Sequence, residues 1–271
     1  MSGDADTRAG AARRIASMLA PEPLKRRHEA WSTARFLRRA NQLNRAYADR
    51  HGLTVKRGPF AGMRYPERFM DDSGDVVAKM QGLYEVELTG VFEQWIAAGF
   101  DRIVDVGSAE GYFAVGLALA SPGTTVHAFD INPEARARCA ELAELNGVRD
   151  RVHVRERCGP DELREVVTGP TALLVDCEGC ETELLDPEAA PVLGQCDVLV
   201  ELHDFIDPAI SGIVLPRFEG THDVTLIDAR GRDGDHAPEL DSLAKRDRQL
   251  LLSERRPPGM QWGRFRPKGW S

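Results

Sequence analysis

The spacing of hydrophobic positions along the 271-residue chain changes near residue 100. Before that point it is helical. Trp31, Phe36, Leu37, Leu43 and Tyr47 punctuate a run of good helix formers from Pro23 to His51, which predicts one or two amphipathic helices. Leu83, Leu88, Phe92 and Ile96 keep the same rhythm and predict one helix from Gln81 to Gly99. Between them, residues 55–80 include KRGPFAGMRYP, whose glycines and prolines predict an irregular link. After residue 100, short β-rich runs alternate with helical ones. The runs are DRIVDV (101–106), TTVHAFD (124–130), RVHVRER (151–157), TALLVDC (171–177) and CDVLVELH (196–203). Between them lie FAVGLALA, PEARARCAELAEL, PDELREVV and CETELLDP. Strands alternating with helices predict βαβ units around a buried parallel sheet. Asn132 before Pro133 supplies an N-cap and a first helical residue. PAISGIVLPRF (208–218) reads as a further helix, while DVTLIDAR (223–230) and RQLLLSER (248–255) predict an antiparallel edge. The organisation expected is a mainly helical N-terminal extension over residues 1–80 and an α/β domain over 81–271.

Composition narrows the class. At 42% hydrophobic and 29% charged residues, the chain can bury a full core. Its apolar runs, VGLALA at 115–120 among the longest, are too short to span a bilayer, and MSGDADTRAG lacks the apolar stretch of a signal peptide, so the expected location is cytoplasmic. Five cysteines without an export signal make reduced thiols the expectation. A zinc site on Cys177-x-x-Cys180 would need a second ligand pair, and Cys139, Cys158 and Cys196 stand singly. The net charge of −8 is uneven: residues 1–60 hold 13 Lys and Arg against 5 Asp and Glu, so a basic arm leads into an acidic body.

The first strand runs into GSAEGYFAVG. Gly107 and Gly111 bracket a turn that opens a helix, where the backbone can approach a ligand. The G-x-x-x-G spacing breaks the G-x-G-x-x-G pyrophosphate fingerprint, because Ala109 and Tyr112 occupy its later glycine positions. Asp105, just before the turn, would repel a phosphate and welcome a cationic amino acid. Asp130 ends the second strand, where an acid accepts hydrogen bonds from a ribose diol. A turn suited to a positive ligand without phosphates, joined to a ribose acid, describes S-adenosylmethionine. Ser108, Glu110, Tyr112, Ile131 and Asp176 complete the expected cofactor wall, with the adenine near Ile131 and the loop Cys158–Asp161.

VDVGSAEGYFAVGLAL followed by HAFDINPEA resembles motifs I and II of class I S-adenosylmethionine-dependent methyltransferases. LLVDCEGCETELLDP, with DVLVELHDF after it, is similar to the Asp-x-Glu-Gly-x-Glu run and the strand-five glutamate of the FkbM type. The resemblance covers roughly residues 83–205. It implies a Rossmann-like sheet of seven strands, the first five parallel and the last two a hairpin, with helices on both faces. It also implies methyl transfer, most often to oxygen, on sugars or specialised metabolites. Cysteines at 177 and 180 depart from the small or aliphatic residues usual there, and on this reading the C-x-x-C is incidental to an acidic motif.

Ligands of such sheets sit beyond the carboxyl ends of the strands. Asp176 and Glu178 follow strand four, and Glu201, His203 and Asp204 close strand five. Like charges at one rim need a positive partner, either the sulfonium or a divalent cation such as magnesium on Asp176, Glu201 and His203. His203 has the ordinary pKa of a general base, oriented by Asp204 or Glu178. Tyr84, Glu85 and Glu87 on the preceding helix could contact the methionine or the acceptor. Thr221-His222 and SERRPPGMQW (253–262) could close the acceptor pocket.

The expected partner is a small-molecule acceptor, with no membrane and with a homodimer open to the basic arm. Nucleic acid is disfavoured as a partner, since neither a [DNS]-P-P-[YF] motif after strand four nor a Pro-Cys dipeptide occurs. Ribose methylation of RNA through the basic arm, and a non-catalytic interaction protein, are the alternatives.

Overall fold

The structure, a computed structural model, describes residues 38–71, 75–232, 236–254, 256–257 and 259–270. The helical stretch expected before residue 38 lies outside these. Seven strands form one sheet in the order β3-β2-β1-β4-β5-β7-β6. They are β1 Arg102–Val106, β2 Thr125–Phe129, β3 Val152–Arg155, β4 Thr171–Val175, β5 Cys196–Leu202, β6 His222–Asp228 and β7 Gln261–Pro267. β1 to β5 are parallel, and β7 runs antiparallel between β5 and β6. This is the Rossmann-like arrangement expected from the sequence.

The strands alternate between two cores, as a pleat of period two requires. Ile103, Leu174 and Leu199 face one side with the helices Thr89–Ala98, Tyr112–Ala120 and Pro133–Leu145. Val104, Val106, Leu173, Val175 and Val198 face the other with Pro160–Val166 and Ile210–Phe218. The helix at 38–51 and the irregular segment after it join the first core. Leu43, Tyr47, Phe60 and Met63 are buried in it together with Ile103. Phe60 packs edge-on against Tyr112 and Phe113, and its ring occupies the space a side chain at Gly116 would need. Rings of this size each contribute about 1.5–3 kcal/mol on burial, so the pre-sheet segment clamps the first helix of the Rossmann unit.

Two expectations are corrected. The single helix from Gln81 to Gly99 is broken: Val76–Gln81 ends at Gly82, the 3-10 turn Val86–Leu88 follows, and Thr89–Ala98 resumes. Gly82 is left-handed at φ 66°, and a Cβ there would meet the Arg57 carbonyl. RQLLL (248–252), expected to begin a strand, instead ends the helix Lys245–Leu252, which buries Leu251 and Leu252. Strand seven is QWGRFRP. Its alternation is hidden because Arg264 shares the Trp262 face, paired with Asp197 at 2.8 Å, while Gly263 makes room for the Phe265 ring. No helix among the described residues is long and apolar enough to cross a membrane.

Candidate active site

The turn after β1 sets the site's floor. Gly107 has φ 88°, and a Cβ there would lie 1.7 Å from the Asp176 carbonyl oxygen, so only glycine lets β1 pass β4 at this point. Gly111 has φ 93° and sits against Cys139. Ala109 between them is also left-handed, at φ 46°. Its amide donates to Asp130 Oδ2 at 2.8 Å, and the Asn132 amide donates to Oδ1 at 2.8 Å. Each carboxylate oxygen keeps a second lone pair for another donor.

Beyond the strand ends lies a cleft of about 550 Å³. It is lined by Gly107, Ala109, Asp130 and Ile131, by Cys158 and Gly159 of the loop where the sequence predicts an adenine, and by Asp176, Cys177, Glu178 and Cys180. Ile131 is 77% exposed at its edge, an apolar surface free to meet a ring. Asp105, Ser108, Glu110 and Tyr112 are not in the cleft wall. Asp105 and Ser108 are buried below the turn, and Asp105 Oδ2 and Ser108 Oγ have no hydrogen-bond partner among the described residues. Burial, with Asp130 nearby, pushes the Asp105 carboxyl up to about 7. Glu110 faces away, holding Lys79 Nζ at 2.5 Å. Tyr112 packs into the aromatic cluster, against Tyr84. The cleft volume, the glycine cradle and the two orphaned polar atoms fit a cofactor of the S-adenosylmethionine type.

The second cluster stands at the ends of β4 and β5. Asp176, Glu201 and His203 each offer one ligand atom, all within 4.8 Å of one another. His203 Nε2 lies 3.5 Å from Asp176 Oδ1 and 3.4 Å from Glu201 Oε2. The orientation expected from Asp204 or Glu178 is corrected. The buried Glu181 holds His203 Nδ1. Asp204 instead accepts from the Ser211 backbone amide at 2.9 Å and from the Ser211 hydroxyl, and Glu178 is exposed with φ 47°. Glu181 is the last acid of the DCEGCE run, and the helix Glu181–Leu184 turns it inward. Burial opposes charge on His203, yet hydrogen bonds to Glu181 and Glu201 outweigh it and hold the imidazole up at about 9. Burial and the hydrogen bond to Glu201 raise the Asp176 carboxyl well above its ordinary range.

Arg256 extends this cluster and was legible only as part of a surface turn. Its guanidinium meets Glu201 at 2.8 Å, Glu254 at 3.0 Å and the buried Glu85. Arg232 bridges Glu254 at 2.6 Å and Glu87 at 2.7 Å. Glu85 and Glu87 therefore belong to an ion-pair chain that ends at the rim. Glu254, Arg256 and Trp262 do come together, with the guanidinium 5.9 Å from the indole; Arg255 lies outside the described residues. His222 is at the other end of the sheet, 3.2 Å from the Cys196 carbonyl, and cannot close this pocket.

One sequence expectation fails outright. Cys177 and Cys180 are not free thiols: they are joined as a disulfide, with Cα atoms 5.6 Å apart. Spacing alone could not show this, because their pairing depends on the turn at Glu178 and Gly179 that brings the two sulfurs together.

The chain matches no family model and no curated protein. Among solved structures it overlaps an O-methyltransferase from Bacillus cereus in complex with SAH at 18% identity, covering 73% of this chain and 86% of that one, with a TM-score of 0.44. A putative caffeoyl-CoA O-methyltransferase from Staphylococcus aureus overlaps at 10% identity, 67% and 83% coverage and a TM-score of 0.45. An rRNA methylase from Streptococcus thermophilus overlaps at 14% identity, 67% and 96% coverage and a TM-score of 0.45. Likeness at this level carries no argument about substrate.

Proposed function

We propose that the chain is an S-adenosylmethionine-dependent methyltransferase, of the FkbM type its sequence resembles, acting on a hydroxyl of a small molecule such as a sugar or specialised metabolite. The observation that carries the reading is the cleft that joins the Gly107 turn and Asp130 to Asp176, behind which the buried Glu201 and His203 complete the cluster. On this reading Asp130 accepts from a ribose diol, the exposed Ile131 meets an adenine face, and the orphaned oxygens of Asp105 and Ser108 serve polar groups at the turn. When bound, the cofactor supplies an electrophilic methyl group. His203, once deprotonated, removes the acceptor's proton, and Glu181 fixes its ring. The same three side chains could hold a divalent cation that lowers the acceptor's pKa.

The cleft rim favours a small acceptor over RNA. Among the described residues Asp130, Glu156, Asp176, Glu178 and Glu183 line it against Arg157, a balance that repels phosphates. The test is calorimetric binding of S-adenosylmethionine, with and without magnesium. Micromolar binding that collapses in Asp130→Ala supports the reading, and a magnesium effect lost in Asp176→Asn supports a cation at the rim. Failure to bind under either condition refutes it.

A further inference from the structure

The disulfide has no task in the chemistry above, yet it forms part of the cleft wall. Cys177 and Cys180 both line the cleft and are half-buried, whereas Cys139, Cys158 and Cys196 are buried thiols that burial pushes up to about 12. The bridge closes a loop around Glu178 and Gly179, which stand at φ 47° and φ 112°. A free chain seldom holds two consecutive residues there, and the non-glycine one carries the greater cost.

Both ends of the loop are tied to the site. On one side Asp176 donates its amide to the Val106 carbonyl at 2.8 Å, and its own carbonyl packs on Gly107. On the other, Cys180 precedes the helix that aims Glu181 at His203, and its carbonyl accepts from the Leu184 amide at 2.9 Å.

Resting on the methyltransferase reading, we infer that the Cys177–Cys180 pair is a redox latch on the cofactor cleft. As a disulfide it keeps the wall preformed. Opened by a dithiol reductant, it frees the loop and weakens cofactor binding. A thiolate of the reductant attacks one sulfur, and the other leaves as a thiolate and takes a proton. The second reductant thiol then displaces the remaining cysteine and closes the reductant's own disulfide. Two electrons pass to the protein, which ends with two thiols. Because the disulfide form binds the cofactor more tightly, occupancy of the cleft must in turn make the bridge harder to reduce at equilibrium.

The experiment uses the full chain, purified without reductant and split into untreated and dithiothreitol-treated halves. Maleimide labelling after unfolding in denaturant, read by mass, should count three thiols before treatment and all five after it. Calorimetry should show S-adenosylmethionine bound roughly five- to tenfold more weakly by the reduced half, as expected when a preorganised wall is lost. S-adenosylhomocysteine should raise the dithiothreitol concentration at which half the protein is reduced. The double variant Cys177→Ser, Cys180→Ser should bind like reduced protein and ignore dithiothreitol. Five labelled thiols before treatment, or equal affinity in both states, would overturn the latch alone. No binding in either state would overturn the cofactor reading and the latch with it.

Discussion

Asp105 offers the sharpest test of the site's electrostatics, because the structure gives it a cost and the proposed ligand gives it a use. It is 1% exposed, lies under the Gly107 turn, and keeps Oδ2 without a partner. Burial raises its carboxyl from 3.8 to about 7. The sign follows from that direction. A folded pKa above the unfolded one means that the folded state holds the proton more tightly, so stability is greatest below pH 4 and is lost as pH rises towards 7. Above 7 the loss is complete and constant. The interval corresponds to about 4 kcal/mol at most. Water penetration and relaxation reduce it to about 2 kcal/mol. Asp105→Asn removes the charge, keeps the shape, and should therefore stabilise the ligand-free protein at pH 8. For a domain of this size the gain amounts to about 4–8 °C in Tm. Thermal denaturation of both proteins at pH 5, 6, 7 and 8 should show a gap that widens to pH 7 and then holds. Affinity for S-adenosylmethionine should fall in the same variant, since the costly charge is the one expected to face the methionine ammonium. A variant less stable at pH 8, or a gap that does not change with pH, would refute the reasoning.

Other predictions follow from the same geometry. If His203 is the base, methyl transfer must rise with pH up to about 9, where the imidazole loses its proton, and His203→Ala should cut kcat by about 100-fold or more; a pH–rate profile flat from 7 to 9 would remove it from that role. Glu181→Gln should shift this profile towards lower pH, because the carboxylate that holds the imidazolium is gone. Arg256→Met leaves Glu85, Glu201 and Glu254 without their shared cation and should destabilise by about 3–5 kcal/mol, measured by denaturant unfolding. Gly107→Ala forces a methyl group into the Asp176 carbonyl and should abolish cofactor binding, or folding itself, as read by calorimetry and circular dichroism.

The parts of this molecule that follow a simple period were legible in the sequence. β1 to β5 fall within the runs that predict them, because a buried parallel strand is a short apolar stretch bounded by turn residues. The Gly107–Gly111 turn and Asp130 were legible for a related reason: each is fixed by its position at a strand end. Strand seven was not, because its arginines share faces with buried side chains and pair across the sheet, as Arg264 does with Asp197. The expected helix from Gln81 was misplaced because its break depends on a contact between Gly82 and Arg57, 25 positions away. At the site, Glu181 was missed as the partner of His203 because Asp204 is nearer in sequence. Only the short helix after the DCEGCE run shows which acid turns inward.

The ion-pair chain is the feature no local pattern could reveal, and it explains how the rim holds its acids together. Glu85 and Glu87, Asp176, Glu201 and Glu254 come from four distant parts of the sequence, and so many buried carboxylates would expel one another without cations between them. Arg232 and Arg256 are those cations, brought in by the segments that flank the helix Lys245–Leu252. Burial still pushes Glu85 up to about 8 despite Arg256, whereas Glu201, touched by both Arg256 and His203, is held down at about 2. Glu201 is thus the member of the chain held as a carboxylate, between Arg256 and His203. Asp176, whose carboxyl burial and Glu201 push up, stands between that carboxylate and the cleft. Replacing Arg256 would remove the cation that helps to hold Glu201 down. Its loss should therefore lower methyl transfer more than it lowers affinity for S-adenosylmethionine, because Asp130 lies across β1 from Asp176 and keeps its contacts with the Ala109 and Asn132 amides.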